Sequence, residues 1–495
     1  MTTIADFFDN GKQLLDNVAG FVERYIGCSL LRKCGITKIV DDVSDGHTED
    51  YCDNPIFRII GNPAKPSNLK KIVSAKQLLI DKLLVGFALA SVYMLFKTDS
   101  FFGTYKRDTF YRFDRLPRAN WERLQLETAR NVILDIESQT TRNHVNALLF
   151  DDSLYARTRG KGTELCAMVH DHTIHKNCLG YRMMTGGWSN SETFIPFAQC
   201  LLTTRNDKLM VGPDDPVDRR TLRGRRRILA KTKGTEVVQH MVEQAQIAGI
   251  PFDYVLFDTW FSNPTQLVAL HNIGANVVAM IKKNSTKYMW LNPATDELEL
   301  LNVKEIYSRN KKRRGKSRYL LSVKVMISDS EGHMIPVRLV YARNHSDRKD
   351  WVCFVCTDLD LDEEAVLRIY TIRWNIETYF KMSKSYLKLR TECHSVSYDA
   401  ITSHMVIVSI RYMILAVERF RNTDNRSIVE LFYQVQREIV NEMMDAAIIL
   451  ILDIMLKSVK QYFGASEDQI NELVSTFIDN LPAHWQARFS KPNAA

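Results

Sequence analysis

Two short apolar runs, Val145 to Phe150 and Tyr254 to Phe257, each stop at an aspartate, Asp151 and Asp258. A short apolar run closed by polar residues reads as a buried strand. Around these two, the pattern gives strands over Thr163 to Val169 and Leu179 to Thr185, a helix over Thr235 to Ala248, and a strand over Asn276 to Ile281. Strands that end at one edge of a parallel sheet deliver the following residues into the crevice outside that edge. The order therefore predicts an α/β core with two carboxylates at a shared edge. Asp152 competes with Asp151 for the first position. Successive strand residues face opposite ways, so only one of the pair can point at a common site.

A third acid comes from a helix. Over Leu367 to Lys384, Tyr370, Arg373, Glu377 and Lys384 are spaced Y-x-x-R-x-x-x-E-x-x-x-x-x-x-K. At about 100° per residue, the last three fall at roughly 300°, 340° and 320° from Tyr370, one stripe. Lys381 and Trp374 lie within about 40° of Tyr370, while Ile369, Ile372, Ile376, Tyr379 and Phe380 form a separate apolar face. One face can pack while the other presents an acid, cations and aromatics. That set suits a phosphodiester: a carboxylate holds a divalent cation, Arg and Lys grip phosphate oxygens, and a Tyr hydroxyl adds a hydrogen bond. A solvated helix face is the plainer reading of the same charges.

The chain has 495 residues, enough for roughly three domains. The hydrophobic share of 45% and charged share of 25% are ordinary globular values and argue against wholesale disorder. The net charge of +8 is a modest field at this length, so local basic clusters say more about polyanionic partners. Apolar stretches at Leu83 to Phe96, Met405 to Val417 and Ala446 to Leu456 fall short of a span of about 20 residues and read as buried helices. Nothing at the N-terminus resembles a secretory signal, and nine scattered cysteines fit a reducing compartment, so a cytoplasmic protein is expected. Cys353 and Cys356 read as core positions on one strand. His170, Asp171, His172 and His175 have no standard ligand spacing and read as turn or surface residues.

The chain divides by pattern. Residues 1–140 read as a helical, DNA-binding N-terminal region, with breaks at Asn62-Pro63, Pro66-Ser67 and Leu116-Pro117. Lys70, Lys71, Lys76 and Lys82 attend an apolar helix there; Lys106, Arg107, Arg112, Arg115, Arg118 and Arg123 interleave with Phe110, Tyr111, Phe113 and Trp121. Residues 141–284 hold the first part of a ribonuclease-H-like core, 285–358 an inserted β subdomain, 359–395 the Glu377-bearing helix, and 396–495 a helical C-terminal region suited to dimerisation. The basic stretches Arg219 to Arg227 and Lys311 to Lys316 are expected to grip DNA backbone, with flexible solvated loops as the plainer reading.

Asp151-x-Ser153, Leu256-Phe-Asp258, and Tyr370-x-x-Arg373-x-x-x-Glu377 followed by Lys384 closely resemble the DDE transposases of the insertion-sequence-four type. The resemblance covers about residues 140 to 400. It implies a ribonuclease-H-like catalytic domain holding two Mg²⁺ or Mn²⁺ ions on Asp151, Asp258 and Glu377, with Tyr370, Arg373, Lys384 and Lys381 at the DNA. It implies a bacterial, nucleoid-associated protein with no membrane partner. It further implies a homodimer that pairs terminal inverted repeats, cuts them and joins them to target DNA through a hairpin. For the hairpin, a flipped base would stack on a Trp of the β insertion, where Trp351 matches; Trp260 and Trp290 are weaker candidates, and a core Trp is the rival reading of Trp351. The D-R-x pattern of some relatives is replaced by Asp258-Thr-Trp, leaving unidentified the cation expected beside that acid. Two other functions stay open: a structure-selective nuclease without strand transfer, and a catalytically silent DNA-binding protein of transposase origin.

Overall fold

The computed structural model describes residues 13–41, 71–87, 91–93, 106–141, 144–157, 160–171, 175–313, 318–344, 347, 350–421 and 426–481. The chain forms two compact units, Arg115–Asp424 and Met1–Asp114 with Asn425–Ala495.

In the first unit the strands are β1 (Ala147–Ala156), β2 (Ala167–Asp171), β3 (Lys176–Ser189), β4 (Phe194–Leu202), β5 (Tyr254–Phe257), β6 (Asn276–Ile281), β7 (Tyr288–Leu291), β8 (Leu298–Leu301), β9 (Tyr319–Ser328), β10 (Met334–Arg343) and β11 (Trp351–Cys356). They form one sheet in the order β8-β7-β9-β10-β11-β6-β5-β1-β3-β2, with β4 hydrogen-bonded to β3. Among the described residues of this sheet, only β1–β5 and β5–β6 pair in parallel; the other pairs are antiparallel. The helices are α1 (Trp121–Gln139), α2 (Leu222–Ala230), α3 (Gly234–Ala248), α4 (Pro264–Asn272), α5 (Val303–Arg309), α6 (Glu363–Thr371), α7 (Trp374–Ser385) and α8 (Tyr398–Arg421).

Local sequence sets many of these boundaries. Asn120, Thr221, Asn263 and Asp362 each cap a helix by accepting a backbone N–H with the side chain, and Pro264 opens α4 where a missing N–H costs nothing. Gly249 ends α3 in the left-handed region at φ 70. The central strands are apolar along their length: Leu148 to Phe150, Val255 to Phe257 and Val277 to Ala279 are fully buried. A Cβ on Gly187 would lie 2.0 Å from the Phe194 ring, so only glycine lets that ring close over the bulge between Gly186 and Gly187.

Several expectations change. The second strand starts at Ala167, because residues 163–165 turn and Leu165 sits at φ 59. Strand β4 was not legible: Pro196 interrupts its pattern and is tolerated because, among the described residues, β4 pairs on one side only. The β-rich segment 285–358 does not form a sheet of its own. Its last strand, β11, pairs with β6 through Cys353↔Ile281 and Cys356↔Val278, so β7 to β11 extend the core sheet. The expected boundaries at 140 and 396 move to 114 and 424, because α1 and α8 pack on each other and on β4. Helix α8 is long and apolar enough to cross a bilayer, but its Tyr398–Val417 stretch is buried inside this unit, where Arg411 is paired with Glu392. Cys353 and Cys356 are both buried.

In the second unit, helices Gln13–Phe21 and Gly27–Lys33 flank a π turn, Ile39–Asp41 pairs with Lys71–Val73, and helices Ala75–Phe87, Arg107–Asp114, Ile428–Phe463 and Glu467–Asp479 complete it. Lys82 is buried and paired with Asp114 at 2.8 Å, while Phe110 and Phe113 are fully buried. Phe110 and Phe113 thus serve packing. The breaks at Asn62-Pro63 and Pro66-Ser67, Lys70, and His172 lie outside the described residues.

Candidate active site

Strand register brings the two aspartates together. Phe150 on β1 stands opposite Phe257 on β5 in the last paired rung, and the next residues are Asp151 and Asp258. Neighbouring strands run about 4.8 Å apart, so both carboxylates issue from one rung at the edge of the parallel pairing. β1 continues past this rung to Ala156, paired with β3 alone, so Asp151 lies inside a strand rather than at its end.

The third acid arrives on a jointed helix. The expected single helix over Leu367 to Lys384 breaks into α6 and α7 at Ile372 and Arg373, where the N–H of Arg373 bonds Tyr370 O at 3.1 Å and that of Ile376 bonds Arg373 O at 3.2 Å, three residues back. A tight joint of this kind re-aims the following turn. Tyr379 anchors α7: fully buried, its hydroxyl meets Gln199 Nε2 of β4 at 2.9 Å and Ser409 Oγ of α8 at 3.0 Å. Asn375 adds a 2.9 Å bond to Ser189 Oγ. The apolar face of Ile369, Ile372, Ile376, Tyr379 and Phe380 is buried as expected.

With α7 fixed, its polar side meets the strand. Arg373 donates to Asp151 Oδ2 at 3.3 Å and to Glu377 Oε1 at 2.6 Å, bridging two acids. Lys384 donates to Ser153 Oγ. Asp151 and Ser153 share one face of β1, as residues two apart must. Asp152 faces the other way and pairs with Arg182 of β3. Tyr370 packs on Phe354 with ring centres 4.8 Å apart, and Arg373 lies 5.8 Å from its ring.

The charges are poorly balanced. Burial and the Asp258 charge push Asp151 up from 3.8 to about 7, Asp152 adding to the rise against the pull of Arg373. Burial also raises Asp258, with Asp152 adding and the Trp260 N–H, Arg373 and Lys282 opposing. The Asp152 charge therefore reaches Asp258, although its side chain faces away from α7. Burial raises the Tyr370 hydroxyl to about 12, so it stays a proton donor at neutral pH. Burial and Arg390 hold Lys384 below its ordinary range, against Asp171 and Asp151.

Two carboxylates on one rung, desolvated and mutually repelling, are the donor set a hard divalent cation takes. Among the described residues, no group of three or more His, Cys, Asp and Glu side chains is gathered closely enough to hold a metal ion. Arg373 lies between Asp151 and Glu377 and bonds both. The chemistry of Asp151 and Asp258 fits a hard divalent cation such as Mg²⁺ or Mn²⁺.

Comparison with known families bears on this arrangement. A model described as DDE superfamily endonuclease matches residues 74–298, which include Asp151 and Asp258. A model described as transposase DDE domain matches residues 227–414, which include Asp258 and the Tyr370 to Lys384 segment. The two matches support a DDE transposase. No curated protein matches the chain.

Arg373 touches Asp151 and Glu377, Lys384 touches Ser153, and Asp258 and Tyr370 lie within electrostatic reach of Asp151, while Lys381 is exposed on α7. Trp351 does not join them. Tyr307 stacks on it at 4.6 Å and 19°, Tyr341 is tilted against it at 5.3 Å, and Lys283 lies over it at 4.4 Å. Trp351 is half-buried and Trp290 is buried. The basic stretch Arg219 to Arg227 also divides: Arg219, Arg220, Arg223 and Arg225 are exposed, whereas Arg226 and Arg227 are buried among Glu122, Glu164 and Asp399. Two cations near the acids were missed, Arg182 and Lys282. The signal for Lys282 was topological, since it follows β6, the parallel neighbour of the strand that ends before Asp258.

Proposed function

We propose that this protein is a DDE transposase of the insertion-sequence-four type that cuts DNA at the ends of a mobile element and joins them to a target. The observation that carries the reading is the meeting of Asp151 and Asp258 on one rung with Arg373 reaching both Asp151 and Glu377. Asp151, Asp258 and Glu377 would hold Mg²⁺ or Mn²⁺, which when bound supplies a more acidic water and neutralises charge on the oxygen that leaves phosphorus.

The chain's own residues do the rest. Arg373 and Lys384 flank Asp151 and are the donors for non-bridging phosphate oxygens, Arg373 by its two-pronged guanidinium. The Tyr370 hydroxyl donates one further hydrogen bond. Held this way, the phosphodiester is presented to an attacking oxygen in line with the leaving one: the new P–O bond forms as the old one breaks, first with water and then with the freed 3′-hydroxyl of the element end. One site can serve both steps, and a hairpin-forming attack on the opposite strand, because each is the same displacement. A homodimer pairing two ends, acting in the bacterial cytoplasm, completes the proposal.

Asp258→Ala is the test. It should abolish metal-dependent nicking of a terminal-repeat duplex while end binding persists, and cutting at the wild-type rate by this variant refutes the assignment. Recovery of donor DNA joined to target separates a transposase from a nuclease without strand transfer, and cleavage itself separates both from a silent DNA-binding protein.

A further inference from the structure

At the β8 end of the sheet, one face is apolar and open. On β8, Leu298 and Leu300 stand opposite Leu291 and Met289 of β7, and Met289 stands opposite Met326 of β9, so these five side chains share a face. Met334 of β10 joins them, because it pairs with Ser328, two residues from Met326. On the reverse face Tyr288, Trp290 and Leu301 are buried, and Arg309 of α5 reaches Glu299 there. On the open face Leu291, Leu298, Leu300 and Met334 are 49%, 64%, 63% and 57% exposed. Both sides of this edge are thus apolar, and among the described residues only one of them is covered. Charges lie at the border. Lys324, two residues before Met326, is exposed and ion-pairs with no described residue. Its register partner Arg338 holds the Leu359 carbonyl and Glu363, and on that stretch Asp360 and Glu364 are exposed and likewise without an ion pair among the described residues.

We propose that this face is where a second copy of the chain packs, sheet on sheet about a two-fold axis. The four exposed side chains present on the order of 400 Å² of apolar surface, the size that marks an interaction site and about half of one partner's share in a standard interface; Met289, Met326 and the charged border extend it. Strand faces of this kind interdigitate at about 10 Å separation, as in the core of a sandwich. A two-fold contact brings a patch against its own copy, so an apolar centre meets an apolar centre, and a border carrying both signs supplies opposite charges to pair across the axis. Duplex DNA is a poor occupant, since a phosphate backbone needs cations and the centre of this face has none. Because β7 to β10 continue the sheet that carries Asp151 and Asp258, a pair joined here holds two acid sites in fixed relation. The inference goes beyond the DNA-cutting reading and does not depend on it, for the pair forms before DNA is bound.

Sedimentation of the full-length protein without DNA, over a range of concentrations, should show a reversible equilibrium between monomer and dimer. Leu298→Lys combined with Leu300→Lys should raise the dissociation constant roughly a hundredfold, because each substitution acts twice across the axis and buries a charge. Both side chains are exposed, so the urea midpoint should stay at that of wild type. Leu298→Met with Leu300→Met keeps the apolar volume and should keep the dimer. In wild type the amides of β7 and β8 should exchange more slowly as concentration rises. A wild type that sediments as a monomer throughout, or a Lys variant that dimerises as tightly as wild type, overturns the interface. If the Lys variant unfolds, hydrogen exchange of wild type decides, and β7 and β8 amides indifferent to concentration overturn it. None of these results alters metal-dependent nicking by wild type, on which the DNA-cutting reading stands.

Discussion

Replacing Asp151 with Asn should make the metal-free protein more stable while destroying its activity. The folded carboxyl, 17% exposed, is raised from 3.8 to about 7 by burial and by Asp258, against Arg373. At 1.36 kcal/mol per tenfold change in proton affinity, that rise corresponds to ~4 kcal/mol of strain when the group is ionised. Relaxation and residual solvent reduce this, so a gain of about 2 kcal/mol is expected. The sign follows from linkage. Because the folded pKa lies above the unfolded one, the folded state binds the extra proton between them, and stability falls as pH rises from about 4 to about 7. Wild type should therefore unfold more easily at pH 8 than at pH 6, and Asp151→Asn should lack most of that slope. Urea unfolding followed by fluorescence at both pH values measures it. Added Mg²⁺ should stabilise wild type at pH 8 and leave the variant nearly unmoved. An Asp151→Asn protein that is less stable than wild type at pH 8, or that keeps the whole pH slope, refutes the claim that Asp151 is a strained carboxylate.

Two further outcomes follow from the arginines of the basic stretch. Arg227→Met removes one partner from Glu164 and Asp399, which keep Arg223 and, for Asp399, Arg226, and should cost about 1 to 3 kcal/mol, read as a lowered urea midpoint with no specific effect on DNA affinity in the protein that remains folded. Changing Arg219, Arg220 and Arg225 together to Gln should leave the unfolding midpoint near that of wild type and reduce the salt slope of duplex binding by about one for each phosphate no longer neutralised; an unchanged slope would mean these side chains do not touch the backbone.

The sequence by itself determined the two acid-bearing strands and the residue types gathered near them. Val145 to Phe150 and Tyr254 to Phe257 are apolar nearly throughout, which fits strands covered on both faces, and an aspartate follows each. Within α7 the helical spacing placed Glu377 and Lys384 on one side and Ile376, Tyr379 and Phe380 on the other, because a helix repeats every 3.6 residues. What tertiary structure decided is everything that depends on which neighbour a residue meets. The register Phe150↔Phe257 put Asp151 and Asp258 on one rung, and no local pattern encodes register between strands about a hundred residues apart. The joint at Arg373 aimed its guanidinium at two acids. Trp351 opens a strand and Trp260 follows one; only the packing stacked the first on Tyr307 and left the second exposed at the acid edge. Arg226 and Arg227 read as part of a basic run until Glu122, Glu164 and Asp399 closed around them. Composition and periodicity are properties of short windows of chain, whereas charge balance and the accessibility of a ring are properties of a neighbourhood that folding alone assembles.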